Sequence, residues 1–110
     1  MISDVDLAAR MRELVAATEA GSSLPDAARA FVEAVTFADA DAILAGLRGE
    51  LAADWMAMPV WARNPAFRLA CLQRPDDPVL LREAAGDLLS FGPDWDDAAH
   101  ALEQRADEIA

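Results

Sequence analysis

The side chains that could perform chemistry are few in this chain of 110 residues. It has one His, one Cys and no Tyr, and its nine basic residues are all Arg. Acid–base and nucleophilic catalysis rely mainly on His, Cys, Lys, Tyr and activated Ser or carboxylates. The Ser residues lack the small-residue elbow of a serine nucleophile, and the glycines form no phosphate-binding loop. We therefore expect no catalytic residues, no cofactor and no enzymatic activity.

Asp96, His100 and Glu103 form the one spacing that suggests a metal site. They lie at positions i, i+4 and i+7 of a predicted helix and therefore share one face. Two carboxylates and an imidazole could hold a divalent cation, but such a site needs further ligands from a second helix. The simpler interpretation is a solvated helix face with weak local pairs. A small metal-dependent helical protein is therefore a lesser alternative.

Cys71 lies in the most apolar predicted helix. A single Cys excludes an internal disulfide and a zinc site built from Cys ligands. No Lys is present to lower the pKa of the thiol, and free Cys is among the most frequently buried residue types. The sequence predicts a buried, unreactive thiol.

Residues 56–75 contain no acidic residue, although the chain as a whole carries 20. The segment combines Met, aromatic and Arg residues, which are enriched in the centres of protein interfaces. The predicted partner-binding residues are Met56, Met58, Trp61, Arg63, Arg68 and Arg74. Trp61 and the two Met residues are interpreted as the anchor, with Arg63 as a flanking polar contact. The alternative is that Trp61 points into the core and the arginines pair with acids on neighbouring helices.

The net charge of −11 and the pI near 4.2 argue against direct binding to nucleic acid. An acidic surface favours association with another protein, which could be basic. The sequence thus predicts a non-enzymatic interaction module: an adaptor, a regulator or an inhibitor of the immunity-protein type that binds stoichiometrically. The alternative is an acidic mimic of nucleic acid that occupies a nucleic-acid-binding groove. A homodimer that buries Met56, Met58 and Trp61 is a further alternative.

The length and the N-terminal composition bear on domain organisation and location. A chain of this length fits one domain over residues 1–110. Acidic residues occupy the N-terminal positions where a signal peptide carries basic ones, and no apolar run is long enough to cross a membrane. We therefore expect a soluble cytoplasmic protein that does not bind membranes.

Apolar residues recur at helical spacing over most of the chain, and no stretch alternates with the period of a strand. The predicted helix starts are a Ser3–Asp6 capping box, Ser23 with Pro25, Thr36 with Asp39, Asn64-Pro65, Asp77-Pro78 and Asp94. Gly21 is predicted to end the first helix. The sequence predicts an all-α fold, a compact single-domain bundle of about six helices, with stacked helical hairpins as the alternative.

The predicted bounds of two helices depend on how glycine and proline residues are interpreted. Residues 37–57 are interpreted as one helix ending before Pro59, although Gly46 and Gly49 each cost about 1 kcal/mol inside a helix. Asn64-Pro65 is predicted to open a short helix over residues 66–73. The predicted buried faces are Leu7, Met11, Leu14, Val15 and Thr18; Ala28, Phe31, Val32 and Val35; Ala40, Leu44, Leu47, Leu51, Trp55 and Met58; Leu81, Ala84, Ala85 and Leu88; and Trp95, Ala98, Leu102, Ala106 and Ile109.

Overall fold

The structure, a computed structural model, describes residues 4–21, 24–56 and 58–109. Over these residues the chain forms six α-helices and no strand. The helices are α1 (Asp4–Ala20), α2 (Leu24–Thr36), α3 (Ala40–Ala53), α4 (Val60–Gln73), α5 (Pro78–Leu89) and α6 (Asp96–Ile109). A 3₁₀ turn, Pro93–Trp95, precedes α6. The prediction of an all-α fold with about six helices is confirmed.

Internal contacts divide the chain into two compact units, Met1–Ala70 and Cys71–Ala110. The first unit contains α1, α2, α3 and most of α4, and the second contains the end of α4 with α5 and α6. The boundary therefore falls inside the last turn of a helix. A single domain over the whole chain stays a prediction.

In the first unit, α1 packs against both α2 and α3. The predicted apolar face of α1 is confirmed, because Leu7, Met11 and Leu14 are completely buried. The helix ends as predicted at Gly21, which has a φ of +69°. The Gly21 N–H donates to the carbonyl of Ala17 at 2.8 Å, which closes the last turn. On α2, the predicted buried face is confirmed at Phe31 and Val35 but is wrong at Val32, which is half-exposed.

The helix α3 runs without a break through both Gly46 and Gly49, as predicted, but it is shorter than residues 37–57. It begins after Asp39, whose carboxylate accepts a hydrogen bond from the Ala42 N–H at 2.8 Å. The predicted start at Thr36 is wrong. Thr36 is the last residue of α2, and its hydroxyl donates to the Val32 carbonyl at 2.6 Å. Asp39 caps α3 because it immediately precedes the first helical residue, where its carboxylate reaches the free N–H groups, whereas Thr36 lies three residues earlier.

The helix α4 begins at Val60, so the predicted start at Asn64-Pro65 is wrong. The Pro59 carbonyl accepts from the N–H groups of Ala62 and Arg63, both at 3.1 Å, and so closes the first turn. Pro65 lies inside the helix, where its ring removes one backbone hydrogen bond. The buried side chains at helical spacing in this helix, which compensate for that loss, are Ala62, Ala66, Phe67 and Ala70.

In the second unit, α5 packs against α6. The Asp77-Pro78 start is confirmed, because the Asp77 carboxylate accepts from the Leu80 N–H at 3.1 Å. The predicted buried face of α5 is also confirmed at Leu81, Ala84, Ala85 and Leu88. Ion pairs Arg82–Asp107 at 3.2 Å and Asp76–Arg105 at 3.0 Å join the beginning of α5 to the end of α6. The two helices are therefore antiparallel.

The start of α6 differs from the prediction. Gly92, with a φ of +101°, precedes the 3₁₀ turn, and Asp94 lies within that turn and is not the cap of α6. The extra turn rotates the helix, so that Ala99 is buried and Ala98 is exposed. Ala99 packs with α5, and partly buried Trp95 and Leu102 lie against the same cluster. Ser3 and Ser23, the remaining predicted caps, lie outside the described residues.

Candidate functional site

The connection between α3 and α4 presents two large apolar side chains to solvent. Trp55 is 43% exposed and Met56 is 66% exposed. Asp54 ends α3 in an extended conformation, and its carboxylate accepts from the Met56 N–H at 3.1 Å. Asp side chains commonly form such turns in place of a further helical turn. The predicted position of Trp55 on the buried face of the helix is therefore wrong, and Asp54 was the signal that could have shown it.

Trp61, in the first turn of α4, is partly packed and partly exposed. Its ring meets that of Phe31 on α2 edge to face, with ring centroids 6.1 Å apart and an interplanar angle of 82°. The side chain nevertheless remains 41% exposed. One edge of the indole thus anchors α4 to α2, while the remainder is available for a contact outside the chain.

Arg63 is completely buried, so its predicted role as a surface contact is wrong. Its Nη1 donates to the carbonyl of Trp55 at 2.7 Å, and its guanidinium carbon lies 4.4 Å from the centroid of the Trp55 ring. The hydrogen bond and the cation–π contact hold both the backbone and the side chain of Trp55. Arg63 is therefore a positioning residue for the α3–α4 connection. The sequence placed it near the site but not in this role.

The other predicted binding residues have different positions. Met58 is 1% exposed, so its predicted place in the anchor is wrong; it belongs to the core. Arg68 is exposed on α4. Arg74 is half-buried in the second unit, where its backbone carbonyl accepts from the Asp77 N–H at 3.3 Å. Of the six predicted residues, Met56 and Trp61 thus remain as exposed apolar anchors, and Trp55 joins them.

We call Trp55, Met56 and Trp61 the Trp–Met surface. These residues lie within seven positions. Arg63 contacts the carbonyl and ring of Trp55, Phe31 contacts the ring of Trp61, and Asp54 accepts from the backbone N–H of Met56. No family model, curated protein or solved structure matches the chain.

The proposed metal ligands do not form a site in the structure. His100 Nδ1 lies 3.1 Å from Glu103 Oε1, and both side chains are largely exposed. Among the described residues, no group of three His, Cys, Asp or Glu side chains is placed to hold a metal ion. His100 pairs with Glu103 on an exposed part of α6, and the structure gives no support to the metal-dependent alternative.

Cys71 is buried, as predicted. Loss of solvation, with the negative charges of Asp77 and Glu83, raises the pKa of its thiol from 9.0 to about 11. A thiol with a raised pKa is protonated at neutral pH and is a poor nucleophile. The residue therefore contributes packing to the helix and offers no reactive group there.

One open groove lies on the first unit, with a volume of about 600 Å³. It is lined by Arg10, Ala30, Glu33, Ala34 and Phe37. Arg10 forms an ion pair with Glu13 at 3.0 Å. No helix in the described part of the chain is long and apolar enough to span a membrane.

Proposed function

We propose that this protein is a non-enzymatic interaction module that binds another protein stoichiometrically, as an adaptor, regulator or inhibitor. The observation that carries the proposal is the Trp–Met surface. Three large apolar side chains within seven positions are between 41% and 66% exposed, and the rings of Trp55 and Trp61 are held by contacts within the chain. Trp is among the residue types most enriched at the energetic centres of interfaces, and Met is enriched at interfaces in general.

The contacts that Arg63 and Asp54 make with the Trp–Met surface also favour binding. The buried guanidinium of Arg63 fixes the Trp55 carbonyl, and Asp54 fixes the Met56 N–H, so the backbone at these two residues is held before a partner arrives. A side chain that is already ordered loses less conformational freedom on binding. A flexible loop carrying the same residues would bind more weakly.

The experiment uses the full chain, immobilised, to capture proteins from a lysate of its own host. Wild type is compared with Met56→Ser and with Val79→Ser. Val79 is 72% exposed on α5, so the second variant removes an equally exposed apolar side chain elsewhere. Unfolding temperatures of all three proteins are measured first. They should be similar, because neither the Met56 nor the Val79 side chain contributes much to the core.

We expect a host protein that is retained by wild type and Val79→Ser and recovered about tenfold less with Met56→Ser. A tenfold change corresponds to about 1.4 kcal/mol, typical of a central interface residue. Equal recovery on all three proteins would contradict the assigned surface. Binding that heparin or moderate salt abolishes equally in all three would instead favour the nucleic-acid mimic.

Self-association is examined on the same proteins by sedimentation equilibrium. We expect wild type and Met56→Ser both to sediment as monomers, because a charge of −11 on each copy opposes association of two chains. A dimer of wild type that Met56→Ser dissociates would show that the surface is a contact between two copies of the chain. That result would replace the proposed partner.

A further inference from the structure

Two arginines of the described chain stand apart from the others. Arg10, Arg12, Arg82 and Arg105 each form an ion pair with a carboxylate at 3.0 to 3.2 Å. Arg29 and Arg68, both exposed, form no ion pair with any described residue. Arg68 lies in the acid-free segment, and α4 itself contains no acidic residue that could pair with it along the helix.

Arg68 lies on the same face of α4 as Trp61. The two are seven residues apart, which on a helix is two turns, a separation of about 10 Å along the axis. Pro65, between them on this face, is also exposed. Side chains on a helix lean towards its N-terminus, so the guanidinium of Arg68 is directed towards the turn that carries Trp61. An apolar anchor and an exposed cation therefore share one face of α4, two turns apart.

We infer that the partner presents a carboxylate to Arg68 beside the apolar side chain that it places on the Trp–Met surface. This inference rests on the proposed function and specifies the chemistry of its partner. The net charge of −11 alone would select a basic partner. Charges more than about 8 Å away are progressively screened at physiological salt, however, so nearby charges count for more than the net charge. Arg68 is the charged residue on the exposed face of α4 that carries Trp61, while the Asp54 carboxylate at the Trp–Met surface already accepts from the Met56 N–H.

An arginine suits this role better than a lysine would. The planar guanidinium can donate two parallel hydrogen bonds to one carboxylate, which gives both strength and a fixed orientation. In an extended peptide, a distance of about 10 Å corresponds to three residues. The expected ligand therefore has a bulky apolar residue and an Asp or Glu about three positions away.

The probe is a display library of random dodecapeptides, selected on the immobilised full chain at physiological salt. Selection is repeated on Arg68→Glu, Arg29→Glu and Met56→Ser. Arg29→Glu is the matched control, since it makes the same charge change at the other exposed, unpaired arginine. Arg29 lies two positions from Phe31 on α2, hence on the opposite side of that helix from the Trp61 contact.

We expect wild type to enrich peptides with an apolar residue and an acid, which bind about tenfold more weakly to Arg68→Glu and equally well to Arg29→Glu. The tenfold figure is the usual order for one charged hydrogen-bonded contact. Peptides that require Met56 but carry Lys or Arg would overturn the inference and leave the proposed function intact. Peptides that bind Met56→Ser as well as wild type, or no enrichment, would overturn both.

Discussion

Arg63 is the residue whose position in the structure differs most from its predicted position. In the sequence it belongs to an acid-free segment and is predicted to be a surface contact. In the structure it is fully buried, and it holds the carbonyl and the ring of Trp55. Replacing Arg63 would therefore disturb the fold and the site together, so that only the exposed Met56 and Arg68 provide clean tests of binding.

At the same scale, Cys71 predicts a pH dependence of stability. Its thiol has a pKa raised from 9.0 to about 11 in the folded chain, mainly because of burial. The unfolded chain loses the proton near the ordinary value, so the folded state is favoured fully below that value. Between the two pKa values the free energy of unfolding must fall as the pH rises.

Urea denaturation at several pH values between about 8 and about 11 measures this fall. The chain contains no Tyr and no Lys, so no other side-chain type titrates strongly in that interval. We expect Cys71→Ala to have a flatter pH profile than wild type, whatever its stability at neutral pH. Parallel profiles for the two proteins would show that burial does not hold the proton on the thiol.

At the scale of the helix, two glycines of α3 show the difference between the helix propensity of a residue and the packing at its position. Gly46 and Gly49 both lie inside α3, where Ala is the better helix former. A methyl group on Gly49 would meet nothing within 4 Å. A methyl group on Gly46 would come within 2.6 Å of the sulfur of Met11, which is fully buried on α1.

The same substitution should therefore have opposite effects at the two positions. We expect Gly49→Ala to raise the free energy of unfolding by about 0.5–1 kcal/mol. Gly46→Ala should lower it by about 1–3 kcal/mol, because the contact between α1 and α3 must open. Chemical denaturation of both variants and wild type measures the difference. Stabilisation by both substitutions would mean that Met11 can move aside without cost.

Helix boundaries show which local signals are reliable. Asp77-Pro78 starts α5 as predicted, and Gly21 ends α1 as predicted. Asn64-Pro65 has the same residue types but lies inside α4, because the Pro59 carbonyl had already closed the first turn. A proline near the start of a helix is tolerated when the buried side chains around it favour the helix. Local sequence signals therefore indicate possible helix starts, and tertiary packing determines which of them is used.

At the scale of the whole molecule, the charge of −11 is a source of self-repulsion. Raising NaCl from about 0.01 M to about 0.15 M shortens the screening length from about 30 Å to about 8 Å. The exposed ion pairs weaken as well, but each contributes little. We therefore expect the unfolding temperature to rise over this range. A fall, measured by circular dichroism, would mean that the ion pairs outweigh the repulsion.

The sequence by itself determined the helical fold class, most of the apolar helix faces and the acid-free segment that contains the candidate site. These features depend on residues a few positions apart, since helical spacing and capping are local. Only the tertiary structure decided that Arg63 and Met58 point inward while Trp55 and Met56 point outward. Outside a regular helix no period relates position to burial. The packing of α2 and α4 and the turn at Asp54 therefore decide which side chains of this segment are available to a partner.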